Sequence, residues 1–353
     1  MGHHCFVRRR GFPLLRAVSA LLAGALALAP GNAARAQIAT ITPGAAAAGA
    51  PPEEVLVEGR QPGPGMWRVK SGDHTLWILG SLTPLPKKMS WDSSAADAVL
   101  GQSQELILPG TVRPDIGFFH GMLLLPSLMS ARKNPDGKKL VDILPPDLYA
   151  RWAALKARYI GHDDAIESWR PLFAAMQLYS KAIDQAGLER RDIVQPEIAK
   201  LARDHKLRVT DPAIKLAVDK PHAAIKEFSK IQLSDVDCLA ATISRLESDL
   251  GAMRVRANAW ARGDLRALRG LPFASQRDSC LAAVMGAETV QERGLQDLPE
   301  RIANRWLDAA VTALRNDKSS FAVLSMDELV RPDGRLAALK AKGFEIEEPA
   351  ASD

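Results

Sequence analysis

The sequence MWRVKSGDHTLWILGSL, residues 66–82, decides the fold class. Two apolar runs flank the turn residues 70–74, and this arrangement predicts a hairpin of two β-strands. A helix follows over residues 90–101, with Asp92 or Ser93 as its N-terminal cap. A short apolar strand then begins at Glu105. This order of strand, strand, helix and strand predicts an α/β protein.

The middle of the chain is predicted to be helical, and its C-terminal part returns to alternating strands and helices. Apolar residues recur every three or four positions from Val236 to Trp260, which predicts one long helix from Ser234 to about Gly263. The other predicted elements are helices at 146–159, 170–186, 193–205, 299–315 and 332–342, and strands at 207–210, 320–325 and 344–347. We therefore predict an α/β fold with a mixed β-sheet, flanking helices and a largely helical middle section, as a single domain over residues 65–350.

The first 36 residues have the features of a cleaved export signal. Arg8, Arg9 and Arg10 precede an apolar stretch too short for a permanent membrane anchor, and the small residues around Arg35 predict cleavage between Ala36 and Gln37. Residues 9–12 also resemble the core of a twin-arginine signal, so general secretory and twin-arginine export both stay open. We expect a periplasmic or secreted protein with no integral membrane segment in its mature chain.

The positive net charge of the chain, +5, comes from this leader. The chain has 46 basic and 41 acidic residues, and residues 1–36 contain five arginines and no acidic residue. The remaining 41 basic residues balance the 41 acidic ones, so the mature chain lacks the positive field that a nucleic-acid partner needs. Residues 37–64 are rich in Ala, Gly and Pro, which predicts a disordered linker before the domain.

Export changes the interpretation of the cysteines. Only Cys238 and Cys280 remain after cleavage, an even number in an oxidising compartment, and we predict a disulfide between them. Two buried thiols are the alternative.

Three segments resemble the TraB/GumN family of the TraB/PrgY/Tiki superfamily. They are LWILGSLTPLP at residues 76–86, RANAWARGDL at 256–265 and FAVLSMDELVRPDG at 321–334, and the resemblance spans about residues 64–350. Active members of this superfamily are metal-dependent peptidases, and histidines of the first and last segments belong to the proposed metal site. The resemblance therefore implies a site at the ends of two strands, which is where sites collect in α/β sheets.

This sequence departs from the family pattern at the residues that the chemistry needs. Gly80 is retained, but the first histidine position is Thr83 and the second is Glu328, next to Asp327. The acidic residue that the family places at the end of the next strand falls on Pro109, and Arg301 matches an arginine of the last long helix. A catalytic metal needs about three protein ligands and an open position. We therefore predict no cofactor and no metal; if a divalent ion binds weakly, its ligands are Glu328, Asp327 and Glu105.

Two functions follow from these residues. The sequence favours an exported, catalytically degenerate TraB/GumN-like domain with a binding or scaffolding role in the cell envelope, its partner being an unidentified envelope protein or polymer. The alternative is a metal-dependent hydrolase or peptidase with an altered, carboxylate-rich site that includes Asp327 and Glu328.

Overall fold

A computed structural model describes residues 55–115, 129–217, 222–223, 225–226, 235–270, 280–281 and 294–350. These residues lie in one compact unit that spans Pro52–Asp353. The predicted export signal, residues 1–36, lies outside the described residues, as does the predicted linker up to residue 54.

A six-stranded mixed sheet organises the described part of the chain, so the predicted α/β class is confirmed. Its strand order is β12-β2-β3-β11-β6-β9 in the numbering that follows. The strands in chain order are β1 (Gly59–Gln61), β2 (Trp67–Ser71), β3 (His74–Ser81), β4 (Leu85–Pro86), β5 (Met89–Trp91), β6 (Glu105–Ile107), β7 (Val112–Asp115), β8 (Leu188–Glu189), β9 (Arg208–Thr210), β10 (Ile214–Ala217), β11 (Ser319–Ser325) and β12 (Glu345–Glu347).

The predicted hairpin is confirmed and lies next to the centre of the sheet. Strands β2 and β3 pair antiparallel, with Trp67 opposite Ile78. Strand β11 pairs parallel with both β3 and β6, and β9 pairs parallel with β6. The carboxyl ends of β3, β11, β6 and β9 therefore meet at one edge of the sheet, where α/β proteins place their sites.

Helices cover the sheet and form the middle section, as the periodicity predicts. In chain order the α-helices of the described residues are α1 (Ser94–Leu100), α2 (Leu140–Ile143), α3 (Pro146–Tyr159), α4 (Pro171–Gln185), α5 (Val194–Asp204), α6 (Val236–Ser248), α7 (Leu250–Arg262), α8 (Leu265–Gly270), α9 (Leu298–Asn316), α10 (Met326–Val330) and α11 (Arg335–Ala341). None of the described helices is long and apolar enough to cross a bilayer.

The prediction of one long helix after Ser234 is wrong. Helix α6 ends at Ser248 and α7 begins at Leu250, because Asp249 has a φ of −117° and a ψ of 0°. The carboxylate of Asp249 accepts a hydrogen bond from Arg256 at 2.5 Å. The apolar residues keep the same spacing across the break, so the sequence pattern does not reveal that one helix ends at Ser248 and another begins at Leu250.

Two apolar cores stabilise the fold. The larger core surrounds the sheet and includes Trp67, Trp260, Trp306 and Phe321, all fully buried. The second core lies between α3, α4 and α6 in the helical middle section. The predicted disulfide between Cys238 and Cys280 is present at its border and ties α6 to residues 280–281.

Part of the predicted linker, residues 37–64, belongs to the folded domain. Strand β1 pairs parallel with β5, and the backbone N–H of Val57 donates to the side-chain carbonyl of Asn258 at 2.9 Å. The amide of Asn258 in turn donates to the carbonyl of Val55 at 2.7 Å. These contacts use backbone groups, so the Ala, Gly and Pro composition gives no sign of them.

Candidate functional site

The two loops that carry the family resemblance meet at the carboxyl edge of the sheet. Ser81, the last residue of β3, lies opposite Ser325, the last residue of β11. The hydroxyl of Ser81 donates to the carbonyl of Leu324 at 3.3 Å. Strand register therefore places Thr83 and Glu328 on the neighbouring segments that follow β3 and β11.

Three clefts of the described residues open at this edge. The strand-end cleft has a volume of about 780 Å³, and its lining includes Thr83, Gln195, Asp327 and Arg331. The arginine cleft, about 340 Å³, is lined among others by Ser81, Pro109, Arg113, Ser325, Glu328 and Arg335. The apolar cleft, about 520 Å³, lies against the N-terminal turns of α9.

Gly80 lets α10 pack closely on the end of β3. A Cβ atom at residue 80 would lie 2.5 Å from the Cε of Met326 and 3.0 Å from Leu329. Its carbonyl accepts a hydrogen bond from the indole N–H of Trp260 at 2.8 Å, in the buried core. The segment around Trp260 that resembles the family thus supports the first loop, rather than supplying a reactive group.

Glu328 has a structural role at the second histidine position. Ser325 caps the short helix α10, and its hydroxyl oxygen accepts a hydrogen bond from the backbone N–H of Glu328 at 3.4 Å. Ser325 and Glu328 have the Ser-x-x-Glu spacing that is common at helix N-termini. The carboxylate of Glu328 lies 3.8 Å from the Nε of Arg335, and both side chains are largely buried.

Arg335 is held from a second side by an aromatic ring. Its guanidinium carbon lies 5.4 Å from the ring centroid of Trp306, which is fully buried in α9. A guanidinium within about 6 Å of an indole ring is attracted to the negative face of the ring. The sequence reasoning missed Arg335; the Pro-Asp-Gly turn that precedes it is the available signal.

Asp327 is also paired with an arginine. Its carboxylate lies 3.6 Å from Arg331, which forms two further hydrogen bonds with Asp333 at 3.0 and 3.2 Å. The hydrogen bonds from Arg331 lower the pKa of the Asp333 carboxyl below its ordinary value and raise the pKa of Arg331. Arg331 therefore links the carboxylate of Asp327, in α10, to that of Asp333, in the loop that follows.

Gly334 closes this loop against Glu328. A Cβ atom at residue 334 would lie 2.2 Å from the carbonyl oxygen of Glu328 and 3.0 Å from its carbonyl carbon. Both neighbours are backbone atoms, so only glycine allows this approach. The close approach brings the start of α11, and with it Arg335, to the carboxylate of Glu328.

Glu105 does not join the other predicted ligands. It lies opposite Ser320 at the start of β11, five residues before Ser325 and thus about 16 Å along the strand from the site. Its buried carboxylate accepts hydrogen bonds from Arg208, at 3.2 Å, and from the hydroxyl of Thr210. Hydrogen bonds to Glu105 and Asp317 raise the pKa of Arg208, and this network anchors the edge strand β9.

Of the other predicted site residues, two line a cleft and one does not. Thr83 lines the strand-end cleft and Pro109 the arginine cleft, but neither side chain is a good metal ligand. Arg301 is exposed on α9, lies 3.6 Å from Asp297 and lines none of these three clefts.

The residues present do not fit a catalytic metal ion. The two carboxylates of the site, Asp327 and Glu328, each have a guanidinium within 4 Å, and a bound cation would have to compete with it. Within the described ranges, no three His, Cys, Asp or Glu side chains are grouped so that they could hold a metal ion. The donor chemistry and the neighbouring arginines both disfavour the metal that the family resemblance implies.

Of the comparisons with known proteins, the one with protein families gives a match. No curated protein and no solved structure matches the chain. The model of the TraB/PrgY/gumN family matches residues 65–348. This range contains both strand-end segments and the supporting segment around Trp260. This match covers most of the sequence, so the chain belongs to the TraB/PrgY/gumN family.

Proposed function

We propose that this chain is an exported, catalytically degenerate member of its family, with a binding or scaffolding role in the cell envelope. One observation carries the proposal: the carboxylate of Glu328, at the second histidine position, lies 3.8 Å from the guanidinium of Arg335. A metal ion bound by this carboxylate would have to compete with the guanidinium of Arg335, and a catalytic metal also needs about three protein ligands.

The lining of the clefts supports the absence of hydrolysis. The described lining residues include no histidine, cysteine or lysine, so the serine and threonine hydroxyls among them have no imidazole or amine beside them as a general base. Asp327 and Glu328 follow directly after the end of β11, and each is paired with an arginine. The cleft itself remains, and a cleft of several hundred Å³ with mixed lining suits a bound ligand.

The disulfide supports a location outside the cytoplasm. Cys238 and Cys280 are joined, and such bonds persist in oxidising compartments such as the periplasm. Together with the export signal predicted for residues 1–36, the disulfide supports a binding role in the envelope or outside the cell.

The test is the metal content of purified residues 37–353, measured by elemental mass spectrometry and by titration with Mn²⁺, Co²⁺, Zn²⁺ and Ca²⁺. We expect no stoichiometric metal and no rise in melting temperature on titration. The matched variants are Glu328→Ala and, as a control, Glu345→Ala on the exposed edge strand β12. One ion per chain that is lost in Glu328→Ala and kept in Glu345→Ala would refute the proposal in favour of the metal-dependent hydrolase.

A further inference from the structure

The arginine cleft and the apolar cleft adjoin each other. Gly110, Thr111, Glu328 and Arg335 line both of them, so a ligand in one cleft can extend into the other. Their volumes of about 340 and 520 Å³ are in the range of small-molecule sites. The two clefts differ in charge and polarity, and this difference indicates the kind of ligand.

Two guanidinium groups and one carboxylate line the arginine cleft, and the carboxylate of Asp211 pairs with one of the guanidinium groups. The charged residues in its lining are Arg113, Arg335 and Glu328. The hydroxyl groups of Ser81, Ser325 and Thr111 also line it. Guanidinium and hydroxyl groups together are the donors that proteins use to bind carboxylate and phosphate oxygens.

Both arginines are held in place before any ligand binds. Arg335 contacts Glu328 and the ring of Trp306, and its side chain is only 12% exposed. Arg113, on β7, lies 2.5 Å from Asp211 and keeps about half of its side chain exposed. Positioned cations lower the entropic cost of binding an anion, because fewer side-chain rotations are lost.

One wall of the apolar cleft is hydrophobic, while its opposite lining carries the charged residues Asp327, Glu328, Arg331, Asp333 and Arg335. Leu298, Ile302 and Leu307 of α9 line it, together with Leu281. Leu281 is 40% exposed and follows Cys280, so the disulfide holds it near α6. A ligand that covers this exposed leucine removes its apolar surface from water, which favours binding.

We propose that these two clefts bind a small amphipathic anion, with a carboxylate or phosphate group between Arg113 and Arg335 and an apolar chain along the N-terminal turns of α9. The proposal rests on the binding role proposed above and names the class of ligand for it. The positive charge that binds the anion comes from guanidinium groups, so binding requires no metal ion.

The test is isothermal titration calorimetry of residues 37–353 with octanoate, octyl phosphate, 1-octanol and acetate, in buffer with and without EDTA. We expect the two octyl anions to bind about tenfold or more tightly than octanol or acetate, a difference of about 1.4 kcal/mol. The tighter of the two octyl anions identifies whether the ligand carries a carboxylate or a phosphate. Equal binding of octanoate and octanol would overturn the proposal.

Matched variants locate the two ends of the ligand. Arg113→Gln should weaken octanoate about tenfold and leave octanol unchanged, whereas Ile302→Ala should weaken both. Arg315→Gln, at the exposed far end of α9, is the control and should change neither. Unchanged octanoate affinity in Arg113→Gln would contradict the site.

The two buffers separate this inference from the proposed function. Failure of both octanoate and octyl phosphate to bind, with and without EDTA, would overturn the inference alone. Binding that EDTA abolishes would show that a metal supplies the charge, and would overturn both the inference and the metal-independent role.

Discussion

Replacement of Gly334 by alanine should destabilise the protein through a backbone clash at the candidate site. The new Cβ would lie 2.2 Å from the carbonyl oxygen of Glu328, about 1.2 Å closer than ordinary van der Waals contact. Overpacking costs about 1–3 kcal/mol, and we expect about 3 kcal/mol because the neighbour is backbone and cannot rotate away. A loss of this size lowers the Tm of a domain of roughly this length by about 6–12 °C.

Thermal and urea unfolding of Gly334→Ala, followed by circular dichroism, measure this loss. The matched control is Gly251→Ala in α7, where a Cβ would meet no atom within 4 Å. We expect the control to keep its stability or to gain up to about 1 kcal/mol, because alanine favours helix more than glycine does. If Gly334→Ala were as stable as Gly251→Ala, the close approach of the two loops would be refuted.

Three further predictions concern the contacts around the site and the helical middle section. Cys238→Ser should lower the free energy of unfolding by about 2–4 kcal/mol, and reducing agent should destabilise the wild type but not the variant. Trp260→Phe should cost about 1 kcal/mol in urea unfolding, because the hydrogen bond to the Gly80 carbonyl is lost; an unchanged midpoint would argue against that contact. Hydrogen bonds from Ser94, and a further one from an arginine, lower the pKa of Asp92 from 3.8 to about 2, so its stabilisation is present above pH 3.8 and is lost as the pH falls toward 2. The Tm difference between wild type and Asp92→Asn should therefore narrow over that pH range, and a constant difference would contradict the assignment.

The sequence predicts the sheet well because its strands are short apolar runs between clear turn residues. The hairpin of β2 and β3 and the strand ending at Ser325 follow directly from this pattern. The break at Asp249 could not be predicted in this way. Leu246 and Leu250 are four residues apart, so the apolar spacing is the same whether one helix continues or two helices meet.

The sequence predicts that the segments after β3 and β11 meet, but it does not predict the contacts of their side chains. Parallel strands β3 and β11 place Thr83 and Glu328 on adjacent loops, as the family resemblance implies. The partner of Glu328 is Arg335, seven residues later on the next helix, and the contact depends on how Gly334 lets the chain turn. Glu105 shows that position along a strand also matters. It lies four residues before Pro109, where the family has its acidic residue, and this spacing puts its carboxylate more than 10 Å from the strand end.

The most direct measurement for the central claim is a double-mutant cycle on Glu328 and Arg335, in EDTA and in Mn²⁺. The variants are Glu328→Gln, Arg335→Gln and the double substitution, and the free energy of unfolding is measured for each. We expect a coupling energy of about 1–2 kcal/mol between the two side chains, with the same value in both buffers, because the partner of the carboxylate is a guanidinium. Additive effects in EDTA, together with a Mn²⁺-dependent rise in the Tm of the wild type that Glu328→Gln removes, would show that the carboxylate is a metal ligand.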